Sequence, residues 1–299
     1  MAIGLSVGMP DTPIAGHGIQ RGYVPGRYGQ VHYRLSCPAQ DNGASPLLLL
    51  HQNPSSSLEY RHLMEAMGSD RAVLALDTPG YGMSDGPPAP VDMAGYAACF
   101  AEALYALAPI LPGPFDVYGF HTGTLLALEL ARAAPRQVRR LVLSGIPMRP
   151  SEERAERYRA AQDFAALDEN GTVALDLAAK LWAYVVVARR PGMTLDDAAA
   201  LWLEKLKPLD RAAWAYLGVW SYDYESRLPQ VAHPVLLIQP DEEIAQGSIA
   251  AAALIPSAQV ERLAGFDRDI FHVPDSIAAL ALAMRRYLDH HPISSGVQA

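Results

Sequence analysis

His121 stands between two glycines, in Gly119-Phe120-His121-Thr122-Gly123. Phe115-Asp116-Val117-Tyr118 reads as a short buried strand, and Leu125 to Ala134 reads as a helix. The pattern predicts a sharp strand-to-helix turn with His121 at its apex. In the Gly-x-Ser-x-Gly form of such a turn, the central side chain is lifted clear of the backbone to do chemistry. Glycine is needed on both sides because a Cβ at either place would collide where backbone crosses backbone. An imidazole at the apex can hold or release a proton near neutral pH. The chemistry suggested is therefore general acid or base catalysis, with a carboxylate on one ring nitrogen fixing the tautomer.

Around this turn the sequence alternates apolar runs with helical patterns. Gly22-Tyr23-Val24 and Gln30 to Leu35 read as two strands joined by a turn. Pro46 to Leu50, Ala72 to Leu76, Val138 to Leu143, Pro234 to Ile238 and Val260 to Leu263 read as further strands. Continuous apolar runs of this kind suit central parallel strands, buried on both faces. Leu58 to Met67, Met93 to Ala108 and Ile277 to Leu288 carry helical spacing. From about Met148 to Gln230 the pattern is helical with no clear parallel strand. That stretch holds all four tryptophans, Trp182, Trp202, Trp214 and Trp220. The expected architecture is α/β, a mostly parallel sheet flanked by helices: a core of residues 1–147 and 231–299 and a helical cap of residues 148–230.

Four landmarks, in order, carry a resemblance: His51-Gln52-Asn53-Pro54, Asp77-Thr78-Pro79-Gly80-Tyr81-Gly82-Met83-Ser84-Asp85, the turn at His121, and Pro234-Val235-Leu236-Leu237-Ile238. From Val31 to about Leu288 the chain resembles the α/β-hydrolase superfamily, most of all the branch with haloalkane dehalogenases, epoxide hydrolases and carbon–carbon bond hydrolases. The resemblance implies that the loop at Gln52 and Asn53 and the backbone N–H of Thr122 form an oxyanion hole. His51 is expected to hold that loop by hydrogen bonds. Asn53 is similar to an asparagine that helps bind halide in dehalogenases, and is equally a turn former before Pro54. Asp77 is expected to brace its turn.

The chain departs from the family at the reacting residues. His121 replaces the nucleophile, and no acid follows the strand at Ser144-Gly145. In the run Asp241-Glu242-Glu243, the family register puts Glu243 at the position of the catalytic acid. Gly265 and Pro274 match the family, but Asp267 falls where the catalytic histidine belongs, and His272 lies five residues late. The expectation is a general acid or base at His121 oriented by Asp267 or Glu243. Aromatic residues of the cap, among them Trp214 or Trp220, are expected to roof a site for a small, partly apolar or aromatic substrate.

Hydrolysis comes first among the reactions, with a lyase or isomerase working by proton transfer as the alternative. Two further readings are a metal centre on His51, His121 and His272 with Glu243, and a non-catalytic binder on the same scaffold. No His-x-His or His-Glu-x-x-His spacing supports a metal, and no cofactor is expected. The net charge of −8 with no basic run argues against a nucleic-acid partner. Met1 to Ile19 lacks a signal-peptide pattern, and no apolar run is long enough to span a membrane. Cys37 and Cys99 are expected as free thiols in a cytoplasmic protein, and a homodimer is a candidate assembly. Met1 to Gln20 is expected to wrap the surface, and the tail after His290 to fray.

Overall fold

The computed structural model describes residues 18–165 and 167–290. Most of the first twenty residues, and the tail after His290, lie outside that range. The strands are β1 (Gln20–Gly26), β2 (Gly29–Ser36), β3 (Leu47–Leu50), β4 (Val73–Leu76), β5 (Phe115–Phe120), β6 (Val138–Ser144), β7 (Val235–Pro240) and β8 (Ala258–Leu263). They form one sheet in the order β1-β2-β4-β3-β5-β6-β7-β8. β2 runs against its neighbours, and the remaining pairs from β4 to β8 are parallel.

Between β3 and β4 lies α1 (Arg61–Met67), entered through a 3-10 turn at Ser57–Tyr60. Between β4 and β5 lies α2 (Met93–Leu107), and α3 (Thr122–Ala133) follows β5. Asp92 starts α2 by accepting the N–H of Gly95 at 2.8 Å, which satisfies one of the donors a helix start leaves orphaned. The leucines of β3 divide by parity, as pleating requires. Leu48 and Leu50 pack with α2 and α3. Leu47 and Leu49 pack with α1 and with the closing helix, Pro274–His290. All four are fully buried, which is why the run is apolar at every position.

The insertion between β6 and β7 contains α4 (Ser151–Gln162), α5 (Thr172–Leu181), α6 (Leu195–Leu206), α7 (Trp214–Trp220) and α8 (Tyr224–Arg227). A π-helical turn, Trp182–Val187, follows α5 directly. This is the helical cap expected from the sequence. After β7 comes α9 (Ala245–Ala252), which the sequence reading did not anticipate, and α10 (Pro274–His290) closes the chain. Both cysteines are free, Cys99 buried and Cys37 half-buried. Among the described residues no helix is long and apolar enough to cross a membrane.

The sheet order sets where a site can form. The chain steps from β3 to β4 on one side, then crosses to β5 on the other side of β3. Ligand crevices in open α/β sheets lie beyond the carboxyl ends of the strands at such a reversal. Here the loops that meet there follow β3, at His51, and β5, at His121.

Candidate active site

His121 has φ 48° and ψ −115°, and it is the only non-glycine residue with positive φ among the described residues. Such a conformation costs about 1–3 kcal/mol and persists only where its surroundings hold it. The His121 N–H donates to Ser144 O at 3.0 Å, and its carbonyl accepts from Thr124 N at 2.9 Å and Thr124 Oγ1 at 2.6 Å. Its ring stacks on Phe120 with centroids 4.0 Å apart. A Cβ on Gly123 would lie 1.9 Å from Leu50 O, so only glycine lets α3 start against the end of β3.

The imidazole Nε2 lies 2.7 Å from Glu242 Oε2. The carboxylate can only accept, so Nε2 donates, and in the neutral ring Nδ1 carries the lone pair. Nδ1 has no partner among the described residues. Glu242 sits just past the end of β7, with its side chain 8 % exposed. Its other oxygen accepts from Gln239 Nε2 at 3.2 Å, so both oxygens are engaged. Gly145, with φ +70°, makes room for the pair: a Cβ there would lie 2.5 Å from His121 Cδ2 and 2.6 Å from Glu242 Oε1.

The carboxylate that meets the His121 ring is thus Glu242, which corrects the expectation that Asp267 or Glu243 would be its partner. The three acids after β7 point different ways. Asp241 turns away to accept the N–H of Gly265 at 2.7 Å, and Glu243 is 81 % exposed and pairs with Arg149 at 3.0 Å. Glu243 still lines the cavity, but only the middle residue reaches the imidazole. Asp267 also lines the cavity beside His121, but its carboxylate faces Arg190 at 3.5 Å.

His272 lies elsewhere. It is buried edge-on to His62, in a small recess with Arg61 and Asp197, and is not among the residues around His121. Burial and, next, the nearby His62 push its pKa down to about 4. His51 is fully buried, with Nε2 accepting from Thr78 N at 2.9 Å and Nδ1 donating to Gln52 O at 2.6 Å. Both nitrogens are used by backbone, so His51 braces the loop and does not meet a ligand. The three histidines of the metal reading therefore do not converge. Among the described residues no group of three or more His, Cys, Asp or Glu side chains is placed to hold a metal.

The loop after β3 supplies donors. The Gln52 N–H is taken by Glu59 at 3.2 Å. The N–H groups of Asn53 and of Thr122, the first residue of α3, have no acceptor among the described residues. Asp77 braces the next loop, accepting from His32 Nδ1, Ser57 N and Met83 N. Burial works against its charge, but the His32 hydrogen bond and the nearness of the His51 and His32 rings win, leaving its pKa at about 2.

Gln52, Asn53, His121, Thr122 and Glu242 all line one cavity of about 910 Å³ between sheet and cap. Trp220 forms part of its wall, stacked with Tyr216 at 6.1 Å, and Tyr184 lines it too. Trp214 does not: its ring is covered by Arg211. Sequence reasoning also missed four cavity-lining cations, Arg149, Arg157, Lys205 and Arg268. Nothing in the spacing of a cap helix marks which of its lysines faces inward.

The α/β hydrolase fold family matches residues 45–274. No curated protein matches the chain by sequence. Among solved structures, an epoxide hydrolase from Vigna radiata superimposes with a TM-score of 0.74 at 14% identity, covering 93% of this chain and 100% of that one. An enol-lactonase from Burkholderia xenovorans LB400 gives 0.70 at 17%, covering 89% and 99%. A thermophilic esterase from Thermogutta terrifontis gives 0.68 at 20%, covering 90% and 98%.

Proposed function

The chain belongs to the α/β-hydrolase fold family, and from that premise we propose that it is a small-molecule hydrolase whose base is His121, oriented by Glu242. The observation that carries this reading is the 2.7 Å contact between Nε2 and the Glu242 carboxylate. It leaves Nδ1 free to take a proton from water as that water attacks a carbonyl carbon. In this reading the N–H groups of Asn53 and Thr122 hold the oxygen that becomes anionic, a contribution that is usually the largest single one in such catalysis. The imidazolium, its charge balanced by Glu242, then returns the proton to the departing group. Positioned proton transfer of this kind contributes about 10²–10⁴-fold in rate. Tyr184, Tyr216 and Trp220 suit a partly apolar or aromatic substrate.

A second reading uses the same nitrogen on a C–H proton beside a carbonyl, in a lyase or isomerase, with the two N–H groups holding an enolate. It is favoured by the imidazole at a turn where acyl transfer to the protein would need a hydroxyl or thiol. The division into a core, 1–147 with 231–299, and a cap, 148–230, belongs to the same proposal. It is supported by the helical stretch between Ser144 and Val235.

The test is a panel of aryl esters and lactones assayed with and without a fluorophosphonate. Turnover is expected to be insensitive to the inhibitor. Stoichiometric labelling of Ser55, Ser56, Ser57 or Ser144 with matching loss of turnover would sink the proposal. Deuterium wash-in at a substrate C–H without hydrolysis would favour the second reading.

A further inference from the structure

The chain has only three lysines, Lys180, Lys205 and Lys207. Two are paired on helix surfaces, Lys180 with Asp176 and Lys207 with Glu204. Lys205 is different. It lies on α6 one turn beyond Leu201, so it shares the inward face that packs Ala198 and Leu201. Its ammonium lines the large cavity and donates to the carbonyl of Pro54 at 3.0 Å. Among the described residues no carboxylate lies within salt-bridge distance of it.

The nearest acids are committed elsewhere. Glu59 takes the N–H of Gln52, the Gln52 amide and the Ser55 hydroxyl. Asp269 accepts the N–H of Arg190 at 3.1 Å. Three arginines line the same cavity: Arg149 and Arg157 pair with Glu243 and Glu153, and the Arg268 guanidinium lies 3.6 Å above the Tyr184 ring. Burial lowers the pKa of Lys205, with Arg268 pushing the same way and Glu59 pulling against it. An unpaired ammonium in a cavity wall carries a desolvation cost that an anion would offset.

A second, independent observation lies in the residue before Pro54. Asn53 is 3 % exposed, lines the same cavity, and neither heteroatom of its amide has a partner among the described residues. Buried amides without partners are uncommon and call for an explanation. Pro54, whose carbonyl receives the Lys205 ammonium, follows Asn53 directly, so the unpaired cation and the unpaired amide meet on one loop.

We infer that Lys205 and the side-chain amide of Asn53 form an anion subsite that takes a carboxylate carried by the substrate. This rests on the reading of the cavity as the active site. The ligand class is a small monocarboxylate with an apolar or aromatic body. One carboxylate oxygen takes the ammonium and the other the Asn53 amide N–H, and the apolar remainder lies along Leu177, Leu181 and Val219. The electrophilic carbonyl of the same molecule is then left for the backbone donors beside His121.

The experiment is calorimetric titration of the whole protein with 3-phenylpropanoate and its neutral isostere 3-phenylpropanamide. The acid is expected to bind at least 10-fold more tightly than the amide. Lys205→Met is expected to weaken the acid at least 10-fold and leave the amide unchanged, with Lys205→Arg restoring part of the preference. Equal binding of acid and amide by the unaltered protein overturns the inference without any variant. Equal loss of both ligands in Lys205→Met also overturns it, since it would mark Lys205 as only a brace for the Pro54 loop. Acid binding should persist in His121→Ala. If it does while turnover is also unaffected in that variant, the proposed base is wrong and the subsite stands.

Discussion

At the scale of single residues, an imidazole on a backbone with φ 48° is held there by its neighbours, and Glu242 is the neighbour that gives it a chemical direction. Glu242→Gln keeps an acceptor for Nε2–H but removes the charge that stabilises an imidazolium. Turnover is expected to fall about 10- to 100-fold through kcat, with KM little changed, because the lost interaction strengthens only as the ring gains a proton. Steady-state kinetics on any ester from the panel that is turned over checks this, and an equal kcat in the variant would remove Glu242 from the account. The apex histidine and its glycines were legible in the sequence because steric need fixes their spacing. The partner was not: the register pointed to Glu243, and the residue that meets the ring is its neighbour Glu242. Which of Asp241, Glu242 and Glu243 reaches the ring depends on where β7 ends and on Gly265 capturing Asp241 across the next strand. Periodicity cannot supply that.

At the scale of elements, the cap is fastened to the core by polar contacts, one set buried and one half-buried. Tyr81, on the loop after β4, is fully buried; its hydroxyl accepts the N–H of Ala215 at 2.9 Å and donates to Arg211 O at 3.2 Å. Asp197 on α6 reaches Arg61 and His62 on α1. Tyr81→Phe orphans the buried N–H of Ala215, while Arg211 O keeps the Trp214 N–H at 2.9 Å, so a loss of about 1–3 kcal/mol is expected, measured by urea denaturation. Because α7 begins at Ala213–Trp214 beside the cavity, KM for a bulky ester should rise as well. A variant with unaltered stability would show that water replaces the hydroxyl and that the cap is held by other contacts. The strands were legible as apolar runs, and the cap as a change of period. The π-helical turn at Trp182–Val187 and α9 were not, since neither carries a distinctive local pattern. Trp214 and Trp220, six residues apart, were equal candidates in sequence; their separate surroundings come from how α7 lies against Arg211 and Arg157.

At the scale of the whole molecule, His272 couples stability to pH without taking part at the candidate site. Its ordinary pKa is near 6.5, and burial beside His62 lowers it to about 4 in the folded chain. Between these values the unfolded chain binds the extra proton, so stability rises with pH across that window. The contribution is fully present above about pH 6.5 and is lost as pH falls through about 4. The shift corresponds to about 3 kcal/mol. Denaturation midpoints taken from pH 7 to pH 4 should fall more steeply in the unaltered protein than in His272→Gln. Parallel curves would show that the ring titrates alike in both states. The sequence offered His272 as a displaced catalytic base because only its distance along the chain was visible. The fold turns that stretch toward α1, where it packs on Phe271 and His62.

The central claim is that His121 moves the proton, and chemical rescue tests it most directly. His121→Ala removes a ring beside Glu242 and leaves room for a free imidazole. Turnover of a hydrolysed ester is expected to fall by about 10²-fold or more and to return, with saturation, as imidazole is added, the rescue following the neutral base. If His121→Ala retains wild-type turnover, the proton is moved by another group and the account is contradicted.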